Sequence, residues 1–153
     1  MDQQVYFVKS GAVMIYILDH DTEQIVRFGY PDNLIVMLDS YLSGKPTIFH
    51  SKAIRKSEIW VFQRSTFEIY LQSYEQQIWW TKTLENFVCQ QIEREIDLLI
   101  KSPKERYDRV RHRSPQLFQE IPEKYIANYL RMSPETLSRL KNVDLNQGNT
   151  RID

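Results

Sequence analysis

An α+β chain is predicted: short antiparallel strands forming a small barrel or sandwich, then a long helix, then a helix-turn-helix. Three observations carry that prediction. Residues 5–62 alternate apolar and polar in short runs. One apolar face recurs at Leu84, Val88, Ile92, Ile96 and Leu99. Finally, "IPEKYIANYLRMSPETLSRLK", residues 121–141, holds two short apolar-periodic segments. A period near two marks strands and one near 3.6 marks helices, so the chain changes character after Arg64.

The strands come first. "VYFV", "AVMIYIL" and "IVRF" are β-branched and aromatic runs separated by the polar turns "KSG" and "DHDTEQ", in which Asp19 and Asp21 read as hairpin-turn residues. "IVML" at 35–38 and "EIWVF" at 58–62 continue the pattern on either side of a loop beginning "DSYLSGKPTIFHS". Runs this short favour a barrel or sandwich over a sheet with crossover helices.

From Ser65 to Lys101 there is neither Gly nor Pro. The apolar stripe there is widened by Trp80 and Phe87, so the helix is expected to cover the β domain on one side and meet something else on the other. A copy of the same chain is the expected partner, with Leu84, Val88, Ile92, Ile96 and Leu99 at a homodimer interface. "SPKE" at 102–105 supplies the Ser, first-turn Pro and third-position Glu of a capping box, which starts a new helix at Pro103. The expected division is therefore 1–73, 74–101 and 102–153. "RSPQLFQEIP" reads as loop or short strand, and the polar tail from Asn142 is expected to fray.

Composition narrows the function. At 153 residues, 42% hydrophobic and 26% charged, the chain can build an ordinary core, and no run approaches the roughly 20 apolar residues of a membrane span. It reads as cytoplasmic, with no membrane partner. Net charge is zero, but residues 101–153 carry 11 Lys and Arg against 7 Asp and Glu, a basic balance suited to a polyanion. A lone Cys89 and the scattered His20, His50 and His112 give no ligand spacing, so neither metal nor cofactor is expected. No Ser/His/Asp set, phosphate-cradling Gly loop or paired carboxylates can be assembled, which argues against an enzyme.

In the 121–141 segment, Pro122 suits a first helical position, and Ile126 and Leu130 share a face with the small Ala127 beside them. Ser133 caps a second helix that Pro134 begins. Leu137 and Leu140 turn inward, leaving Glu135, Ser138 and Arg139 outward. Spacing alone fits an ordinary helical hairpin as well as a DNA-reading helix-turn-helix.

"IANYLRMSPETLSR", residues 126–139, resembles the "IAxxLxxSxETxSR" signature of the Crp/Fnr family of bacterial transcription regulators. "VYFVKSGAVMIYI" is similar to that family's β-roll strands, and "KERYDRV" to the helix after its dimerisation helix. The resemblance spans residues 5–141. It implies an antiparallel β-roll of the double-stranded β-helix type, a dimerisation helix and a C-terminal helix-turn-helix. The implied partners are double-stranded DNA, a second copy, RNA polymerase and a small-molecule effector. DNA contacts would fall on Ser133, Pro134, Glu135, Thr136, Ser138, Arg139 and Lys141.

The chain departs from the family pattern at several places. Arg131 stands where many such turns have Gly, implying a differently shaped or mildly strained turn, and Pro134 stands where the family often has Arg. Family members usually carry a further helix-and-strand segment before "VYFVKSG", and little after Lys141 resembles the strands of a wing. Family members that bind cyclic AMP resemble one another in a cassette whose Glu and Arg hold ribose and phosphate. Here Asn33 falls at the Glu position and His50 or Ser51 at that of the Arg, so cyclic AMP is not the expected effector. Lys45, Lys52 and Arg55 are alternative anion contacts. The competing reading is a sensor or protein-interaction module whose helical tail no longer binds DNA.

Overall fold

The strand-forming runs pair as two three-stranded antiparallel sheets. A computed structural model describes residues 2–148, and the chain parts into two compact units, one ending at Ile92 and the other beginning at Glu93. In the first unit β1 (Val5–Ser10) lies between β4 (Leu34–Val36) and β6 (Glu58–Phe62). In the other sheet β2 (Val13–Asp19) lies between β3 (Thr22–Gly29) and β5 (His50–Ala53). Val5 faces Val36 on one side and Phe62 on the other.

The β2–β3 hairpin closes at Asp19 and Thr22, with His20 and Asp21 at φ 45° and 65°. Two consecutive positive values make the turn whose twist suits adjacent strands, and Asp tolerates that region better than most residues. Gly11, at φ 92°, has a second reason to be glycine: a Cβ there would collide with Ser57 Oγ and the Lys56 carbonyl. The β1–β2 and β5–β6 turns therefore pass each other closely at this point.

Several details differ from the sequence reading. β5 lies within what reads as loop, because "HSKA" has no buried face; it is set in place by backbone pairing to β2, from Val13 opposite Ala53 to Tyr16 opposite His50. The strand expected at 35–38 ends at Val36, and α1 (Leu38–Ser43) follows, closed by Gly44 at φ 68°. The first helical stretch is broken into α2 (Arg64–Tyr70) and α3 (Tyr74–Leu99). In the second unit the segment read as loop or strand contains the short helix α5 (Leu117–Glu120). Six- and four-residue helices are too short to display a period.

Trp80 and Phe87 of α3 join Val5, Val36, Tyr41 and Phe67 in one buried cluster, with Leu84 packed against it. Leu84 thus serves its own unit's core. The other stripe residues stay open: Val88 is 55% exposed, Ile92 50%, Ile96 39% and Leu99 77%.

The second unit is helical: the end of α3, then α4 (Pro103–Arg113), α5, α6 (Glu123–Tyr129) and α7 (Pro134–Gly148). The helical break lies at residues 100–102. As the capping-box reading requires, Ser102 Oγ accepts from the Glu105 amide at 3.3 Å. Pro122 caps α6 from just outside it instead of occupying its first position. α7 continues past Asn142 to Gly148, so the polar residues there do not end the helix; residues 149–153 of the tail lie outside the described residues. Tyr107, Val110, Ile126, Ala127, Leu130 and Leu137 are each buried in this unit, every large side chain contributing about 1.5–3 kcal/mol.

Candidate nucleic-acid interface

The turn between α6 and α7 begins with a defined helix ending. The Arg131 amide donates to the Asn128 carbonyl (3.0 Å), and the Met132 amide to the Ala127 carbonyl (3.0 Å). With Arg131 at φ 53°, these paired bonds make a Schellman ending. Its left-handed residue is normally glycine, so Arg131 carries the backbone strain that the sequence suggests.

Ser133 then caps α7: its Oγ accepts from the Thr136 amide at 3.2 Å and lies 3.2 Å from the Thr136 hydroxyl. Leu137 is fully buried, fixing the helix's rotation, and Leu140 is half-buried on the same side. Pro134, Glu135, Ser138 and Arg139 are exposed, and Thr136 is intermediate. A hydrogen bond with Ser133, then one from its own backbone amide, holds the Glu135 carboxyl below its ordinary range, so it is an anion at neutral pH. The outer face of α7 thus offers a carboxylate acceptor, a hydroxyl and a guanidinium fork within one turn. That set matches the edges of cytosine and guanine. Lys141, four residues after Leu137, lies at the edge of the inward side and forms an ion pair with Glu123 of α6, which a phosphate would have to displace.

Beneath the turn lie charged groups that pattern reading did not find. Arg94, Asp97 and Arg106 are buried. Asp97 accepts from Arg109 (3.2 Å) and Arg113 (2.5 Å), and both arginines also reach Glu93, at 2.8 and 3.0 Å. Burial, the largest single influence, opposes the Arg113 charge, but the hydrogen bond with Asp97 and the attraction of Asp97, Tyr129 and Glu93 together outweigh it and raise its pKa. The legible signal was spacing: two acids four apart at the end of α3 and two arginines four apart on α4.

The candidate effector residues are dispersed. Asn33 precedes β4 and is engaged locally, its Oδ1 accepting from the Tyr30 amide at 3.2 Å. Lys52, on β5 in the other sheet, pairs with Glu23 at 2.8 Å. Lys45 is exposed after α1, Arg55 donates to the Gly11 carbonyl at 3.4 Å, and His50 stacks on Tyr16 with centroids 5.4 Å apart.

No protein-family model matches the sequence, and neither does any curated protein. Among solved structures, the chain is similar to FixK2 from Bradyrhizobium japonicum, with TM-score 0.75, 21% identity, and coverage of 95% of this chain and 76% of that one. It is also similar to a CooA variant from Carboxydothermus hydrogenoformans, with TM-score 0.69, 17% identity and 95% and 68% coverage. A third, TTHB099 from Thermus thermophilus, is described as a transcriptional regulator of the CRP family and gives TM-score 0.65, 13% identity and 97% and 78% coverage. Two antiparallel sheets, a long helix and a helix-turn-helix, in that order, give this chain the fold of the Crp/Fnr transcription regulators.

Proposed function

We propose that this protein is a DNA-binding transcription regulator of the Crp/Fnr type. It reads double-stranded DNA with α7 and acts as a homodimer joined along α3. The observation that carries the reading is the division of α7 into a buried Leu137 side and an exposed Glu135–Ser138–Arg139 side, set on a capped turn. The basic balance of residues 101–153 supports attraction to phosphates, and the described kinship of TTHB099 supports the same class.

Dimerisation rests on Val88, Ile92, Ile96 and Leu99, large apolar side chains left open on one helix. Ile92→Asp should therefore convert a dimer to a monomer in sedimentation at tens of micromolar. A wild-type monomer at that concentration defeats the α3 interface. Any effector is a small molecule other than cyclic AMP, since Asn33, at the position of the cassette Glu, has its Oδ1 committed to the Tyr30 amide.

Selection of bound DNA from a random pool tests the reading directly. Against the selected site, Arg139→Ala should cost about 1–3 kcal/mol, and against random DNA far less, because a guanine contact carries sequence information and a phosphate contact does not. Lys141→Ala should weaken both alike. If Arg139→Ala leaves the selected site's affinity unchanged, or the pool yields no preferred site, α7 does not read bases and the interaction-module reading takes its place.

A further inference from the structure

Three consecutive carbonyls at the turn before α7 are held by two buried arginines. Arg94, from the last part of α3, donates to the Tyr129 carbonyl at 2.6 Å and lies over the Tyr129 ring, 3.7 Å from its centroid. Arg106, from α4, donates through Nε to the Leu130 carbonyl at 2.9 Å and through an Nη to the Arg131 carbonyl at 3.2 Å. The other Nη of Arg106 reaches the carbonyls of Ile100 and, at 3.1 Å, Lys101, just past the end of α3. These carbonyls lie where a helix runs out of amides, and where its dipole favours a cation. A guanidinium has five donors in a rigid plane, so each arginine fixes an angle as well as a distance; a lysine cannot.

We propose that Arg94 and Arg106 are the positioning residues of DNA reading. By clasping the carbonyls of 129–131 they set the direction in which the chain leaves the Schellman turn, and so the bases that Glu135 and Arg139 reach. Neither arginine touches DNA in this account. The clasp also explains how Arg131 can hold a left-handed conformation without glycine: its own carbonyl and the one before it are pinned from below. This inference rests on the reading of α7 as a DNA-contacting helix.

Arg94→Lys and Arg106→Lys keep the charge and remove the fork. With the full chain and the pool-selected site, each should lower the ratio of specific to random DNA affinity by about tenfold or more while random binding stays within about twofold. A merely structural role would lower both affinities together or neither. Arg139→Ala runs beside them. If it loses selectivity while the folded lysine variants keep theirs, the clasp is overturned and the DNA reading stands. If the wild type selects no site, both are overturned. Hydrogen exchange on the wild type answers the case in which a variant fails to fold. The Arg131 and Met132 amides should exchange nearly as slowly as that of Leu130, and exchange about a hundredfold faster overturns the clasp without any substitution.

Discussion

Trp80→Ala should destabilise the N-terminal unit by about 3–5 kcal/mol, enough to lower its melting temperature by more than about 10 °C. The indole is nearly fully buried, and its ring meets Phe67 edge-on at 4.8 Å and Tyr41 at 5.9 Å between centroids. Around them stand Val5 from β1, Val36 from β4 and Phe87 from α3, so the cavity would open where sheet and helix meet. Rigid secondary structure on all sides limits collapse into that space, which places the cost in the upper part of the range for large-to-small changes. Trp79, its neighbour in sequence, is 42% exposed and touches the cluster only at its margin, through Phe67 and Trp80, so Trp79→Ala should cost about half as much or less. Thermal unfolding followed by far-UV circular dichroism compares the two. Equal shifts would mean that Trp80 is not the anchor.

Asp97→Ala should produce the second-largest loss, about 3 kcal/mol, in the C-terminal unit. Its carboxylate is wholly buried and accepts from both Arg109 and Arg113. Removing it leaves two guanidinium groups with Glu93 alone. Both arginines retain some contact with water, 34% and 27% of their side-chain surface, so they can turn outward, which keeps the cost at the low end for a broken buried pair. Glu93→Ala removes a carboxylate that is already 41% exposed and should cost less than about 1 kcal/mol. Urea unfolding gives both values, and an Asp97→Ala midpoint matching the wild type would show that this buried carboxylate is dispensable.

What the sequence revealed depended on whether each element carries a distinctive local pattern. β1, β2 and β3 stand out as β-branched and aromatic runs between polar turns, and α4 and α7 by their capped starts at Ser102 and Ser133, where one hydroxyl at the right offset defines a helix. β5 does not: an edge strand of polar residues is held by its backbone, and its side chains leave no periodic trace. The arginine clasp was illegible for a different reason. Arginine is usually at the surface, so nothing in "QQIEREIDLL" or "KERYDRV" distinguishes Arg94 and Arg106 from solvated charges. Arg131 was legible as an anomaly because a turn that needs positive φ shows itself when glycine is missing. Asn33 could be matched to a cassette position by its place in the sequence, but only its bond to Tyr30 shows what its side chain does.

The central place of β1 has a consequence for how the protein is made. Both partners of β1 lie far along the chain: β4 comes only after the β2–β3 hairpin, and β6 later still. A ribosome releasing this chain exposes the apolar β1 well before either partner, so β1 must wait, unpaired, while the local β2–β3 hairpin closes within microseconds. Long loops must be closed before those pairings are rewarded, which makes the sheet slow to complete, whereas much of the C-terminal unit forms between helices near one another in sequence. The N-terminal unit should thus limit the folding rate, and the interval before β6 emerges is when the nascent chain is most exposed to aggregation and most in need of a chaperone.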